Sequence, residues 1–393
     1  MSIRKFSFYE FFAGGGMARL GLGARWRCDF ANDFSAKKAT AYRENFAPAS
    51  EFVHADIATI EAKDLSGQAD LAWASFPCQD LSVAGARAGL RGKRSGSFWE
   101  FSRIIGELKS ESRAPRMILL ENVIGALTSN GGADLAAVFG ALATHGYRFG
   151  PMIIDAANFL PQSRVRLFIL AVADDCAIPP PLLAEEERSG PLRKLRDALP
   201  RALQRNWIWW SLPSVPRSTL RLSDVVERSG KALDWQPRAM TQRIVSMMSP
   251  ANRRKLDAAM ACGEPAVGAV YRRTRKDPDT GVSVQRAEVR FDGMSGCLRT
   301  PAGGSSRQLL LFVENGEVRS RLLTGREAAR LMGLPENYRL PKNYNDAYHL
   351  AGDGVAVPVV AWLDRSFLRP ILTANEADQS KSVTQRRRRG APV

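Results

Sequence analysis

The segment Leu71–Gln79 reads LAWASFPCQ, a short apolar run followed at once by a proline and a cysteine. Its first five residues are apolar or small, which is typical of a strand buried on both faces of a parallel sheet. Pro77 fixes its own backbone and disfavours a helical conformation at Phe76, so the turn that carries Cys78 is stiff. Because ligands bind at the carboxyl ends of such strands, Cys78 is a candidate nucleophile, although a lone cysteine is more often a buried apolar residue.

The sequence on either side of this segment alternates apolar runs with amphipathic stretches over residues 1–175. This alternation is typical of βαβ units and predicts an α/β fold with a mostly parallel sheet. The predicted strands are Phe6–Phe12, Trp26–Ala31, Glu51–His54, Leu71–Ser75 and Met117–Leu120, and the predicted helices are Ser35–Asn45, Phe98–Lys109 and Ala133–His145. Met152–Ala156 and Arg166–Val172 flank a turn and predict an antiparallel hairpin at the end of the sheet.

A chain of 393 residues is long enough for two domains. The composition changes at Pro179–Pro181, after which the βα alternation is lost. We predict a catalytic domain at 1–178, a smaller domain at 179–345, a segment at 346–373 that returns to the first domain, and a basic disordered tail at 374–393. The returning segment reads as a strand or loop followed by a helix.

Two features of the predicted smaller domain suggest local structure. Thr324–Glu327 forms a capping box, and Gly333 with Pro335 would end the short helix that it starts. Three tryptophans are interpreted as core of this domain rather than as base-stacking groups: Trp207, Trp209 and Trp210.

The composition argues against several classes of protein. No apolar run approaches the ~20 residues of a membrane span, so we expect no membrane partner. The five cysteines are odd in number and lack CxxC spacing, which argues against a disulfide framework or a zinc site, and we predict no metal. Residues 1–5 lead directly into the first predicted strand, so we expect no secretory signal. The scattered cysteines predict a reducing cytoplasm.

The net charge of +16 comes from 56 basic and 40 acidic residues. The run Arg386–Arg389 supplies only four of these charges, so most of the excess belongs to the rest of the chain. A basic surface of this size predicts a polyanionic partner, and nucleic acid is the one we expect.

Three predicted strand ends carry groups suited to an adenosine-containing ligand. Phe11–Gly16 follows the first strand and opens a helix, where glycines let the backbone approach a ligand closely. Asp33 ends the second strand, where it could accept hydrogen bonds from a ribose, and Asp56 follows the third, where it could accept one from an adenine amino group. The alternative is that both aspartates are ordinary helix caps.

Charged residues also follow later strands. Glu121 comes directly after the apolar run Met117–Leu120 and could act as a general acid or hydrogen-bond donor beside a nucleophile. The alternative for Glu121 is a solvated loop residue. By strand alternation Arg164 and Arg166 share one face, so one of them could point into the active cleft, and the alternative is an exposed pair on an edge strand.

Taken in chain order, these motifs resemble the C5-cytosine DNA methyltransferases over nearly all of residues 6–365. The matching segments are Phe12–Gly16, Phe76–Gln79, Glu121–Val123, Gln162–Arg166 and Gly352–Val355, together with Leu298–Pro301 and Arg326–Pro335. The resemblance implies a Rossmann-like S-adenosylmethionine-dependent methyltransferase sheet with a second, smaller target-recognition domain. It also implies double-stranded DNA as the partner and methyl transfer to C5 of a flipped-out cytosine as the reaction. The location expected with it is the cytoplasm, in a nucleoid-associated protein of bacterial or phage origin.

Carried over by position, the resemblance implies that Cys78 is the nucleophile and that Glu121 acts on the cytosine ring. Arg166 would support the ring or the cysteine, and Arg164 joins it in the expected catalytic set. The residues expected to hold S-adenosylmethionine are Phe12, Gly14, Gly16, Asp33, Phe34, Asp56, Ile57, Pro77, Phe98, Asp353 and Gly354. Met17 and Asp353 stand where the family more often has glycine and asparagine. Residues 79–94, rich in Gly, Ala and Arg, are expected to form a mobile loop behind the extruded base.

Target recognition is expected within about residues 230–310. Arginine can bond guanine bidentately and glutamine can bond adenine, although such side chains often contact phosphates instead. The predicted DNA-binding residues are Gln79, Arg272, Arg273, Arg275, Arg299, Arg307 and Gln308. Because this region is short, we expect a short target site.

We expect a monomer, and the sequence leaves open whether a cognate restriction endonuclease acts on the same site. An RNA C5-cytosine methyltransferase of the same fold is the nearest alternative enzyme. A non-catalytic, cofactor-binding DNA regulator is the alternative from another class. A nicotinamide dehydrogenase would explain the glycine turn and Asp33, but it would leave Phe76–Gln79 without a role.

Overall fold

The computed structural model of the protein describes residues 5–76, 96–186, 189–215, 217–228, 230, 233–276, 281–298 and 307–377. The chain divides into two compact units. The larger unit comprises Met1–Ile154, Val165–Val215 and Val357–Val393, and the smaller unit comprises Asp155–Arg164 and Pro216–Ala356. Residues 179–215 therefore belong to the larger unit, which differs from the predicted domain boundary at residue 179.

The larger unit is built on a seven-stranded sheet. Its strands are β1 (Phe6–Phe11), β2 (Trp26–Asp33), β3 (Phe52–His54), β4 (Leu71–Ala74), β5 (Met117–Val123), β6 (Tyr147–Asp155) and β7 (Val165–Ala173). The strand order is β3-β2-β1-β4-β5-β7-β6. The first five strands pair in parallel, and β7 runs antiparallel to β5. Every residue of β1 and of β4 is buried, because central parallel strands are covered on both faces.

The strand order reverses between β1 and β4, and this position is where open α/β sheets bind ligands. The carboxyl end of β1 at Phe11 leads into the glycine turn. The carboxyl end of β4 at Ala74 leads toward Cys78 in the chain. The topology therefore brings the glycine turn and the end of β4 to the ligand-binding edge of the sheet.

Among the described residues, six α-helices of the larger unit lie before residue 216. They are α1 (Met17–Leu22), α2 (Ala36–Asn45), α3 (Gly96–Ser110), α4 (Ala133–Thr144), α5 (Pro191–Ala198) and α6 (Arg201–Gln204). The Trp207 ring lies 5.6 Å from Phe139 of α4 and 6.4 Å from Phe149 of β6, measured between ring centroids. The prediction that Trp207 lies in the core of the smaller domain is therefore wrong. The chain beyond the proline run folds back onto α4 and β6.

The smaller unit contains a four-stranded antiparallel sheet. Its elements are α7 (Leu222–Val225), α8 (Arg238–Ser246), α9 (Pro250–Ala261), β8 (Ala266–Lys276), β9 (Ser283–Arg290), β10 (Leu309–Glu314), β11 (Glu317–Leu322), α10 (Gly325–Leu331) and α11 (Tyr344–Asp353). The strand order is β11-β10-β8-β9. Ile244 of α8 and Leu256 of α9 share a buried cluster with Val270, Val289 and Leu311 of the sheet. One face of the sheet is thus apolar and covered by helices.

The predicted capping box at the start of α10 is confirmed. Thr324 Oγ1 accepts a hydrogen bond from the Glu327 amide at 3.2 Å, and Glu327 Oε2 accepts one from the Thr324 amide at 2.8 Å. The same carboxylate pairs with Arg321, whose Nη2 lies 2.6 Å from Glu327 Oε1, and neither side chain is exposed to solvent. The helix start is therefore tied to a buried ion pair.

The chain returns to the larger unit at Val357 rather than at residue 346. The first part of the return segment, predicted as a strand or loop, lies in helix α11. The predicted helix after it corresponds to α12 (Val357–Leu363), and helical structure continues to residue 377. Residues 374–377 of the predicted tail are thus helical, and residues 378–393 lie outside the described part of the chain. No helix in the described ranges is both long enough and apolar enough to cross a bilayer.

Candidate active site

The glycine turn after β1 has an unusual backbone. Phe12, Gly14 and Gly16 have φ values of 57°, 57° and 74°. A Cβ added at Gly16 would lie 2.3 Å from the Phe46 ring, whereas one added at Gly14 would meet no atom within 4 Å. Gly16 is therefore required by packing, while Gly14 lies where a ligand could approach the backbone. The left-handed conformation of Phe12 is costly for a residue with a side chain, and such strain is often found at functional sites.

Asp33, the last residue of β2, braces this turn. Its Oδ2 accepts a hydrogen bond from the Gly14 amide at 2.9 Å, and its Oδ1 accepts one from the Ser35 amide at 2.8 Å. Because Asp33 is buried, only its remaining lone pairs could serve a ribose. Phe34, the next residue, is 68% exposed and presents a flat apolar ring beside the turn.

Asp56 follows β3 and acts as a helix cap. It is exposed, and its Oδ1 accepts a hydrogen bond from the Ala58 amide at 3.0 Å at the start of the 3-10 helix Ile57–Thr59. The side chain of Ile57 is buried in the core. The cap interpretation of Asp56 therefore has direct support, and its contact with an adenine stays a prediction.

Phe98 lies on α3 and is 1% exposed. Its ring centroid is 5.3 Å from that of Phe76 and 6.4 Å from that of Phe101. Phe98 therefore packs α3 against Phe76, which follows β4. Its ring can support a ligand site at the end of β4 without being exposed to solvent. Four other candidates lie outside the described residues, as does the loop at 79–94: Pro77, Cys78, Gln79 and Arg299.

A buried ion pair lies at the carboxyl end of β5. In the antiparallel register Glu121 is opposite Phe168 and Arg166 is opposite Val123, so Glu121 and Arg166 are diagonal neighbours on one face. Arg166 Nε lies 3.1 Å from Glu121 Oε1, with side-chain exposures of 15% and 9%. The solvated-loop alternative for Glu121 and the exposed edge-strand alternative for Arg166 are therefore wrong. Holding two charges at such low exposure is costly unless the pair has a use.

Arg164 has different surroundings from Arg166. It is 3% exposed, and its Nη2 donates hydrogen bonds to the carbonyl oxygens of Gly352 and Gly354 at 3.0 and 2.7 Å. Its Nη1 donates to the Leu298 carbonyl at 3.2 Å. Asp353, between the two glycines, is exposed at the end of α11. The expectation that Arg164 is catalytic is not supported by these contacts, because its guanidinium is directed at the backbone of the smaller unit.

The basic cluster expected to contact DNA lies on β8. By strand alternation Arg273 and Arg275 share a face, and both contact Glu288 of β9, at 3.4 and 2.6 Å. Their side chains are 45% and 51% exposed, so these ion pairs contribute little to stability and can be exchanged for contacts to phosphates. Alternation puts Arg272 on the opposite face of the strand.

A cavity of about 300 Å³ lies within the smaller unit and is lined in part by residues of β8. Four arginines contribute to its lining: Arg272, Arg273, Arg290 and Arg307. Gln308 also lines it but is 4% exposed, and its amide donates to the Val270 and Leu309 carbonyls at 2.9 and 3.0 Å. An amide held in this way cannot present its hydrogens to a base. The expectation that Gln308 reads DNA is therefore corrected to a structural role.

Sequence reasoning missed two buried polar residues. Glu10, at the centre of the sheet on β1, is 1% exposed, and burial raises its pKa to about 8 although Arg19 opposes the shift. Gln162 is fully buried, with its Oε1 accepting from the Leu298 amide at 3.2 Å and its Nε2 donating to the Leu331 carbonyl at 2.6 Å. Two sequence signals could have pointed to these residues. Glu10 is the single glutamate inside the apolar run Phe6–Phe11, and Gln162 is the first residue of the matching segment Gln162–Arg166.

The chain is similar to known proteins in both sequence and structure. The type II methyltransferase M.BsuFI of Bacillus subtilis is 26% identical over 358 residues, which cover 91% of this chain and 71% of that protein. The type II methyltransferase M.HhaI of Haemophilus parahaemolyticus is 24% identical over 360 residues, covering 91% and 92%. The crystal structure of S. pombe Dnmt2 methyltransferase has the same fold, with a TM-score of 0.59 at 18% identity over 93% of this chain and 99% of that one.

The family model for C-5 cytosine-specific DNA methylases matches residues 6–368. The predicted family and the predicted α/β methyltransferase fold are therefore confirmed. The chain belongs to the C-5 cytosine-specific DNA methylases, a family of enzymes.

Proposed function

We propose that this chain transfers a methyl group from S-adenosylmethionine to C5 of a cytosine in duplex DNA, through a temporary bond between Cys78 Sγ and C6 of the ring. The observation that carries the proposal is the buried Glu121–Arg166 pair. It lies at the carboxyl end of β5, which neighbours β4, the strand that leads toward Cys78. A nucleophile and a charged pair on adjacent strand ends is the arrangement that this reaction requires.

Cytosine C5 is too weak a nucleophile to take a methyl group directly. Attack of the Cys78 thiolate on C6 forms the S–C6 bond and moves the ring electrons to C5, which becomes nucleophilic enough to accept a methyl group. Bound S-adenosylmethionine would supply that group, its sulfonium S–CH3 bond would break, and S-adenosylhomocysteine would be the leaving group. Glu121 acts as the general acid or hydrogen-bond donor that stabilises the ring nitrogen as negative charge develops there, and the Arg166 hydrogen bond holds its carboxyl group in place. A base, such as bound water, then removes the C5 proton, and elimination across C5–C6 returns the thiolate.

The residues around the glycine turn fit S-adenosylmethionine. The open space at Gly14 lets a ligand approach the backbone closely. The Asp33 carboxylate, which accepts from the Gly14 amide, offers hydrogen-bond acceptors. The exposed Phe34 ring offers a stacking surface. When bound, the cofactor supplies an electrophilic methyl group on a sulfonium. In this proposal Phe34 stacks on the adenine and Asp33 orients the ribose. Asp353 and Gly354 remain predicted cofactor contacts.

Replacing Phe34 by alanine should raise the dissociation constant for S-adenosylhomocysteine by about tenfold, because stacking on a nucleobase is lost. The melting temperature should hardly change, since the ring is 68% exposed and supports little of the core. Isothermal titration calorimetry measures the first effect and circular dichroism the second. Leu212→Ala is the matched control, since Leu212 is also an exposed apolar residue of the larger unit. Equal affinity in Phe34→Ala and the wild type would remove Phe34 from the site.

The exposed arginines of the smaller unit support duplex DNA as the substrate. Arg273 and Arg275 offer positive charge on one face of β8, consistent with the net charge of +16. The cytosine must leave the helix to reach Cys78, and such extrusion costs a few kcal/mol that phosphate contacts can offset. We further propose that this chain is a cytoplasmic monomer that methylates a short site. Whether a cognate restriction endonuclease acts on the same site is left open by the sequence, and the type II relatives make that question worth testing.

Trapping with 5-fluorocytosine DNA tests the proposed reaction. Fluorine at C5 cannot be removed as a proton, so the enzyme should remain covalently attached to the DNA when S-adenosylmethionine is present. A band that survives denaturing electrophoresis, in stoichiometric yield and absent without the cofactor, is the expected result. A tRNA competitor should not reduce its yield, whereas efficient competition would favour the RNA alternative. Catalytic methylation of ordinary DNA without any trapped species would contradict the covalent step.

A further inference from the structure

A single guanidinium connects two segments of the smaller unit that are far apart in sequence. Arg164 Nη2 donates to the carbonyl oxygens of Gly352 and Gly354, at 3.0 and 2.7 Å. Its Nη1 donates to the Leu298 carbonyl at 3.2 Å and lies 3.3 Å from Cys297 Sγ. One buried side chain thus joins the turn at the end of α11 to the segment that leads into Arg299.

The anchor of this side chain is itself rigid. The Arg164 amide donates to Asp155 Oδ1 at 2.8 Å, and the Arg164 carbonyl accepts from the Ala156 amide at 3.0 Å. The neighbouring Gln162 contacts the same segment, since its Oε1 accepts a hydrogen bond from the Leu298 amide at 3.2 Å. A movement at Leu298 therefore cannot be absorbed by a loose backbone at residue 164.

The geometry suits arginine and no other residue. A buried guanidinium needs several acceptors, and the carbonyls of two segments supply them. Lysine keeps the charge but has one nitrogen, so it cannot hold both segments in the same fork-like arrangement. If either segment shifts, Arg164 must lose hydrogen bonds or take the other segment with it.

We propose that Arg164 is a positioning residue that couples cofactor binding at the Asp353–Gly354 turn to DNA binding by the part of the expected target-recognition region that includes Leu298. The inference rests on the proposed function, because it takes its two ligands from there. Arg164 contacts neither ligand in this role. Ordering of one segment by its ligand favours the bound conformation of the other, and the coupling is reciprocal.

The coupling is measured on the full-length chain as the ratio of two dissociation constants for S-adenosylhomocysteine, one without DNA and one with DNA. The target site is first identified by bisulfite sequencing of DNA from cells that express the protein. The dissociation constant for S-adenosylhomocysteine is then determined with and without a saturating DNA duplex that carries this site. In the wild type DNA should lower this constant at least about fivefold. In Arg164→Lys the two values should agree within about twofold, even if both are weaker than in the wild type.

Arg113→Lys is the matched control. Arg113 also donates to backbone carbonyls, from Nη1 to Leu65 and Gly67, both at 2.7 Å, and from Nη2 to Ala62 at 2.9 Å, and none of these lies in either segment. This variant should keep the wild-type ratio. A purely structural role for Arg164 would lower stability and both affinities while leaving the ratio unchanged, and that result would overturn the proposal.

Hydrogen exchange on the wild-type chain gives a second test that needs no variant to fold. S-adenosylhomocysteine alone should slow exchange of amides at residues 295–298, and DNA alone should slow exchange at residues 350–356. Protection confined to the segment that binds each ligand would overturn the coupling while leaving the proposed function intact. If the wild type bound neither ligand and methylated no DNA, the proposed function itself would fail, and the coupling with it.

Discussion

Replacing Cys78 by serine should reduce the rate of methyl transfer by a factor of at least about 10⁴, because the step that activates the ring is lost. A thiol with a pKa near 8.5 can ionise in a basic setting, whereas a serine hydroxyl stays protonated and is a far weaker nucleophile. The substitution changes one atom, so binding of DNA should stay within about threefold of the wild type. Single-turnover transfer of a radiolabelled methyl group measures the rate, and a gel-shift titration measures the binding.

Cys262→Ser is the control for this variant, since Cys262 is an exposed free cysteine of the smaller unit. Its rate should match that of the wild type. Substantial turnover by Cys78→Ser would exclude the covalent mechanism, whatever the structure around Glu121. Retained DNA binding in the inactive variant would separate recognition from chemistry.

The sheet of the larger unit was predictable because its central strands are buried on both faces. Such strands read as nearly continuous apolar runs, and β1 and β4 were predicted to within one residue at each end. The end of β2 was harder: it extends to Asp33 through Asn32, two polar residues that are buried because they bond to backbone groups. Hydrophobic patterns cannot identify strand residues of this kind.

The division of the chain was not predictable from composition. The proline run looked like a linker, but the residues after it pack Trp207 onto Phe139 and Phe149 of the larger unit. The return point was also misplaced, since α11 stays with the smaller unit and only α12 rejoins the larger one. Both errors concern which distant segments pack together, and a single sequence carries little signal for that.

Residue types in the candidate site were easier to predict than their partners. The motif order identified Glu121 and Arg166, but their pairing follows from the antiparallel register of β5 and β7. Arg164 and Gln308 were assigned by their chemistry to ligands, whereas the fold directs both to backbone carbonyls. A donor side chain can serve a ligand or the protein, and only the positions of the acceptors decide between the two.

The Arg321–Glu327 pair should be the most sensitive charged site for the stability of the smaller unit. Both side chains are fully buried, and the carboxylate also accepts from the amides of Thr324 and Glu227. Glu327→Gln removes the negative charge and leaves the arginine uncompensated, so the free energy of unfolding should fall by about 3–5 kcal/mol. Urea denaturation followed by circular dichroism measures the loss.

The pH dependence of the free energy of unfolding should identify the cause of the stability loss in Glu327→Gln. Burial is the largest single effect and opposes ionisation of Glu327. The hydrogen bonds from Arg321 and from the Thr324 and Glu227 amides, together with the charge of Arg321, outweigh burial and lower the pKa of the carboxyl. A group with a lowered pKa stabilises the fold above its unfolded-state pKa, and this contribution is lost as the pH falls through the folded-state value. The difference between the wild type and Glu327→Gln should therefore shrink in acid.

Glu336→Gln provides the matched comparison. Glu336 also pairs with an arginine, Arg330, at 2.7 Å, but its side chain is 65% exposed. An exposed pair of this kind contributes at most about 1 kcal/mol, so this variant should unfold close to the wild type. A similarly small loss in Glu327→Gln would mean that Arg321 finds other acceptors, such as the Glu227 carbonyl to which it already donates. The difference between the two variants therefore measures the effect of burial on an otherwise similar charge pair.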